Sequence, residues 1–245
     1  MYWAKNFFNN ISSHFGLTHN IDNELIEFFS KMGMTYTSQV LDQCCGNGTL
    51  QIALTKHIKC KTFGIDINND YIESAKQRAF NQKIVSKFIC QDVLENKCVG
   101  LFNYVINWNT SWAYFEDDEK NISFIQHAFK NLRKDGKYII ETYNSNFIKN
   151  NFKELIVDKK TIDGIEYTIE KKCSVNNDIL SAQWIIKNSE GNKIFDDTGY
   201  TKLYTEDQII KFYEQVGFKD IKTYNDLSYK ENATPTSRFI IVGTK

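Results

Sequence analysis

The chain has 245 residues, 30 Lys and Arg against 30 Asp and Glu, and a formal net charge of zero. A neutral chain has no global attraction for nucleic acid or anionic membrane, and its apolar runs are too short to span a bilayer. The length suffices for one large domain with a sizeable core. The opening MYWAKNFFNN lacks the unbroken apolar stretch of a secretion signal. Six cysteines, at 44, 45, 60, 90, 98 and 173, form no C-x-x-C pair. The expectation is a cytoplasmic protein with free thiols and no metal site.

From Asn20, NIDNELIEFFSKMG sets Ile21, Leu25, Ile26, Phe28 and Phe29 at helical spacing and closes on Gly33. Residues 1–36 read as an N-terminal helical cap. SQVLD then ends a strand at Asp42, and TLQIALTKHI follows as a helix. KTFGID ends at Asp66 before the helix NDYIESAKQRAFNQ. SKFICQD ends at Asp92, and LFNYVIN ends at Asn107. The helix ISFIQHAFKNLRKDG and the strand KYIIET, ending at Thr142, complete the run. Strands alternating with helices predict an α/β fold with a parallel sheet covered on both faces.

The alternation then stops. Residues 155–204 hold β-rich runs, punctuated by Asp163-Gly164, Asn176-Asn177-Asp178 and Glu190-Gly191-Asn192. These are hairpin signals, and the segment reads as an antiparallel insert that walls the acceptor side. Thr205 with Gln208 makes a capping box for a further helix. Two last strands lie in DIKTYND and SRFIIVGTK. Residues 37–154 and 205–245 thus form a single core domain around a seven-stranded, mostly parallel sheet.

LDQCCGNGTL joins the first strand to its helix. It is a D-x-x-x-G-x-G turn in which Gln51 stands where a dinucleotide fingerprint needs its third glycine. No Gly-Lys-Ser/Thr ending marks a phosphate loop. Asp42, Asp66 and Asp92 end strands one, two and three, 24 and 26 residues apart, and such strand ends line the ligand-binding edge of an open parallel sheet. A row of carboxylates suits hydroxyls, amines and positive charge, and repels a pyrophosphate.

At this point the sequence resembles the class I S-adenosylmethionine-dependent methyltransferases, in a small-molecule branch whose first motif is written Cys-Cys-Gly. VLDQCCGNGT resembles the first motif, FGIDIN the second, CQDV the third and FNYVINWNTSWAYFEDDEKN the fourth. LRKDGKYIIET resembles the turn and strand that follow, with Asp-Gly where Gly-Gly is commoner, and SRFIIVGTK the last strand. The resemblance covers nearly the whole chain and implies a Rossmann-like fold, S-adenosylmethionine as cofactor and S-adenosylhomocysteine as product.

It also implies roles. Asp66 would accept from both ribose hydroxyls and Ile67 would pack on the adenine. Asp92 would take the adenine amine, with the Val93 amide beside the ring. Asp42 and the Asn107 carbonyl would hold the methionine ammonium. Gly46 and Gly48 would let the backbone approach the methionine half, next to Cys45, while Cys44 would sit in the turn without facing the ligand. Tyr2 and Trp3 would cap the cofactor.

On the acceptor side, Trp108, Asn109, Trp112, Tyr114 and Arg238 are candidate contacts, with two of the four aromatics Trp108, Trp112, Tyr114 and Phe115 expected in the core. Candidate proton acceptors are His14, His19, Tyr114 and Tyr143. His57 and His127 read as solvated residues on flanking helices. The reading is methyl transfer to oxygen or nitrogen of a small polar metabolite, such as a sugar, a nucleotide-linked sugar or a phosphate-type group. The enzyme would be a monomer or homodimer, with neither membrane nor nucleic acid as partner. An RNA or protein methyltransferase, and a non-catalytic cofactor-binding protein, remain as alternatives.

Overall fold

The computed structural model describes residues 2–12, 21–95, 97, 99–162, 164–229 and 234–245. In chain order it runs α1 (Tyr2–Ser12), α2 (Asn23–Lys31), β1 (Gln39–Gln43), α3 (Thr49–His57), β2 (Lys61–Asp66), α4 (Asn69–Asn81), β3 (Lys87–Cys90) and β4 (Phe102–Asn107). Then follow α5 (Asp118–Asn131), β5 (Leu132–Tyr143), α6 (Ser145–Asn150), β6 (Leu155–Ile162), β7 (Ile165–Asn176), β8 (Ile179–Lys187), β9 (Lys193–Lys202), α7 (Glu206–Val216), β10 (Lys219–Tyr224) and β11 (Arg238–Thr244).

The main sheet has seven strands in the order β10-β11-β5-β4-β1-β2-β3. β1 to β5 are parallel, and β11 is antiparallel to both β5 and β10. This is the parallel α/β sheet that the strand–helix alternation predicts, in the Rossmann-like form that the family resemblance implies. β1 lies between β2 and β4, so the strand order reverses there and opens a crevice beyond the strand ends.

Alternation along the strands divides the core into two layers. Leu41, Val105, Tyr138, Ile140 and Ile241 pack toward α5 and α7. Their neighbours Val40, Ile106, Ile139, Ile240 and Val242 pack toward α2 and α3. Both faces of these strands are therefore buried, as near-continuous apolar runs require.

One boundary differs from the sequence reading. The helix expected to run through Gly136 stops at Asn131, and LRKDG begins β5 as an irregular stretch whose register shifts against β4. Asp135 there is left-handed at φ 63°, and Gly136 is hemmed in by the Arg133 carbonyl, 2.9 Å from where a Cβ would stand. The capping box of α7 is present, with Thr205 accepting from the Gln208 amide and Gln208 reaching back to Thr205.

The insert is a separate four-stranded antiparallel meander, β6-β7-β8-β9. One of its faces packs against α1. Phe7 and Ile11 of the helix cluster with Ile186 and Phe195, and the Phe7 ring stands edge-on to Phe195 at 5.6 Å and to Trp184 at 6.1 Å.

Candidate functional site

The turn after β1 is built from left-handed residues. Cys44, Gly46 and Gly48 have φ of 60°, 53° and 76°, a region that costs a non-glycine residue energy. The two glycines are needed for different reasons. A Cβ on Gly46 would meet nothing within 4 Å, so conformation alone asks for glycine there. A Cβ on Gly48 would lie 2.8 Å from Phe88 and 3.0 Å from Ala75. Gly48 thus lets α3 pack against β3 and α4, and it does not line the cavity beside the turn.

That turn is tied to the next strand. The Gly46 amide donates to Asp66 Oδ2 at 2.8 Å, and the Asn68 amide donates to Oδ1 at 2.9 Å. Arg78 donates to the Asn47 carbonyl at 2.7 Å and to Thr49 Oγ1 at 2.8 Å. The helix N-cap after β2 is Asn68, two residues beyond Asp66.

The cavity opens at the ends of β1, β2, β3 and β4, on the crevice that the strand order creates. Asp42, Cys44, Cys45, Gly46, Asp66, Ile67, Asp92, Val93, Trp108, Asn109 and Tyr114 all border it. Cys44, expected to face away, lines it too. Two further residues, Ala4 and Phe8, come from α1. The side chains of Tyr2 and Trp3 lie outside the described residues, and so do His14 and His19.

Asp42 and Asp66 are only 3 % and 8 % exposed. Burial pushes the Asp42 carboxyl well above the usual range, and the Asp66 charge beside it pushes further. Burial also raises Asp66, against the backbone amides of Asn68, Gly46 and Ile67. The same burial, with the neighbouring carboxylates, raises both the Cys44 and the Cys45 thiols, so neither is a ready thiolate.

Among the described residues, three buried donors on the cavity wall have no partner: Asn68 Nδ2, the Tyr71 hydroxyl and Gln91 Nε2. Buried polar atoms are ordinarily paired. An apolar wall, unpartnered donors and two crowded carboxylates together suit a ligand that brings acceptors, hydroxyls and positive charge. S-adenosylmethionine, with its ribose diol, adenine nitrogens, ammonium and sulfonium, has all of these. The residues present therefore fit that cofactor.

Other expected site residues lie elsewhere. Trp112 is fully buried in the core and donates its indole N–H to the Asn121 carbonyl at 2.8 Å, so it is a core residue rather than an acceptor contact. Phe115 is core as well. The Asn107 side chain is fully buried, off the cavity wall and without a partner among the described residues, whereas the role expected of Asn107 belongs to its backbone carbonyl at the end of β4. Arg238 is bound to Glu141, its guanidinium 4.8 Å over the Tyr143 ring; it lies off the cofactor cavity but lines an adjoining one together with Glu141, Trp108 and Asn109, while Tyr143 borders neither. Tyr114 does line the cofactor cavity, and burial pushes its hydroxyl far up.

His57 is exposed, as expected. His127 is not solvated: it is fully buried, accepts from Gln43 Nε2 at 2.8 Å and donates to the Lys97 carbonyl at 3.1 Å. No described residue of 155–204 lines the cavity; the insert meets α1, and α1 lends the wall Ala4 and Phe8. Asn68, Tyr71, Gln91 and Phe8 are among the wall residues that sequence reasoning missed. Asn68 and Gln91 lie inside or beside the quoted second and third motifs. Tyr71 shares a helical face with Ile72, Ala75 and Ala79 and reads as core.

A family model described as a methyltransferase domain matches residues 35–199. A candidate protein N5-glutamine methyltransferase of Methanocaldococcus jannaschii is 33% identical over 104 residues, which are 42% of this chain and 51% of that one; the chain thus matches about half the length of this curated relative. Among solved structures, an S-adenosylmethionine-dependent methyltransferase from Clostridium acetobutylicum has a TM-score of 0.77 at 17% identity, covering 98% of both chains. A sugar N-methyltransferase from Streptoalloteichus has a TM-score of 0.72 at 15% identity, covering 98% of this chain and 92% of that one.

Proposed function

Because this chain belongs to the S-adenosylmethionine-dependent methyltransferases, we propose that it moves a methyl group to the nitrogen of a small polar acceptor, an amino sugar above all. The observation that carries the reading is the cavity at the strand-order reversal, where two buried carboxylates and three unpartnered donors converge. Asp66 would hold the ribose and Asp42 the methionine ammonium. Asn68, Tyr71 and Gln91 would pair with the adenosine, and Asp92, Ile67 and Val93 would flank the ring. The bound cofactor supplies an electrophilic methyl on a sulfonium.

The remaining work falls to positioning. Trp108, Asn109 and Tyr114 flank the space where an acceptor must lie, and Phe8 closes it from α1. Aligning a nucleophile with the methyl can supply up to about 7–11 kcal/mol of the barrier. A neutral amine needs no proton acceptor to attack, whereas a sugar hydroxyl does. The sugar N-methyltransferase of like fold supports nitrogen on a sugar as the acceptor. An RNA acceptor is less favoured, because the chain carries no net positive charge.

The test is methyl-labelled S-adenosylmethionine with a panel of amino sugars, free and nucleotide-linked, each beside its hydroxy counterpart. Label on the amine and none on the matching hydroxyl is expected. Label confined to hydroxyl acceptors, to RNA or to protein would overturn the reading.

A further inference from the structure

We propose that Glu141 and Arg238 form a positioning pair for methyl transfer, holding the loop after β4 in the shape that presents Trp108, Asn109 and Tyr114 to the cavity; this rests on the reading just given. The loop is strained. Asn109, Thr110 and Ala113 are non-glycine residues at φ of 60°, 54° and 68°, a conformation that persists only where the surroundings over-determine it.

The pair provides much of that determination. Glu141 on β5 is 6 % exposed, and Arg238 on β11 grips it with two nitrogens, Nη2 reaching Oε2 at 2.7 Å. The same Oε2 accepts the Asn109 amide at 2.8 Å, and the Glu141 carbonyl accepts the Thr110 amide at 3.1 Å. Arg238 Nη2 also donates to the Thr110 hydroxyl. Both strained residues next to Trp108 are thus fixed to one buried ion pair. A buried pair is weak evidence for stability in itself. Here its spare hydrogen-bonding capacity goes to the loop; neither residue borders the cofactor cavity, and both line the adjoining cavity that shares Trp108 and Asn109 with it.

Arg238→Lys keeps the charge but loses the planar fork. Thr110→Val loses only the hydroxyl, and Thr110→Ser keeps it. The experiment is hydrogen exchange of residues 108–115 with and without S-adenosylhomocysteine, beside calorimetric affinity for that compound. In wild type and Thr110→Ser the compound should slow exchange of the loop. In Arg238→Lys and Thr110→Val the loop should exchange about tenfold faster and lose that ligand protection. β5 and β11 should stay protected, and affinity should stay within about threefold. Loop exchange equal to wild type overturns the positioning role, and so does a loss of protection spread evenly over β5 and β11. Failure of wild type to bind S-adenosylhomocysteine overturns the methyl-transfer reading instead.

Discussion

His127 should make the fold acid-labile in a defined window. Its ring is fully buried, with Nδ1 accepting from Gln43 and Nε2–H donating to the Lys97 carbonyl. Both nitrogens are thus satisfied by the neutral tautomer, and a second proton would face the Gln43 amide. Burial pulls the imidazole from 6.5 down to about 4, only partly offset by its bond to the Lys97 carbonyl, while Lys130 pulls it further down. A base with a depressed folded pKa contributes stability that is complete above its unfolded pKa and is lost as pH falls toward the folded one. Here that window runs from about 6.5 to 4, and the full loss is about 3 kcal/mol, of which about 2 kcal/mol is gone by pH 5. Other groups titrate in the same range, so the readout is a difference. Denaturant unfolding of wild type and His127→Gln at pH 7.5 and pH 5 should show wild type losing about 2 kcal/mol more than the variant. Parallel losses, or an NMR titration placing the ring near 6.5, would refute the assignment of a buried neutral histidine.

Asp42 has the opposite sign. Its raised folded pKa means the proton is held more tightly when folded, so its contribution to stability of the ligand-free protein declines as pH rises from 3.8 through that raised value. An ammonium partner favours the ionised form, so the thermal shift given by S-adenosylhomocysteine should grow with pH across the same range; a shift that is flat with pH would separate Asp42 from the ligand. Gly48→Ala should cost about 2–4 kcal/mol, combining backbone strain with overpacking against Phe88 and Ala75. Gly46→Ala should cost only about 1 kcal/mol for its conformation, so equal losses in thermal unfolding would contradict the packing role of Gly48. Cys44→Gly should keep S-adenosylhomocysteine binding and relieve a left-handed residue at φ 60°; loss of binding in calorimetry would show that the thiol itself contacts the ligand.

The parts of the fold legible in the sequence are those fixed by local chemistry. The acids ending three strands, the glycine turn and the hairpin signals of the insert each depend on residues near one another in the chain. The capping box at Thr205 is the same kind of signal. What stayed hidden depends on long-range contact. The loop 108–115 has three left-handed residues, so no helical or strand period tells which aromatic points where; Trp112 turns into the core and Tyr114 into the cavity. His127 sits on a helix face that reads as amphipathic, and its burial is decided by Gln43, 84 residues away. The insert is legible as a sheet, but its docking on α1 brings Phe7 and Ile11 against Ile186 and Phe195, far along the chain. Tyr71 hides in an apolar helical stripe because a phenol can pack like a core residue while its hydroxyl reaches a ligand.

The central claim is that the cavity at the ends of β1 to β4 holds the adenosine and methionine of the cofactor. Calorimetric titration of S-adenosylhomocysteine into wild type and Asp66→Ala tests it most directly. One site per chain is expected in wild type, with affinity weakened by about 1.5–3 kcal/mol in the variant, the scale of a hydrogen bond to a charged acceptor. Unchanged affinity in Asp66→Ala, or no binding to wild type, would contradict the placement of the cofactor in this cavity.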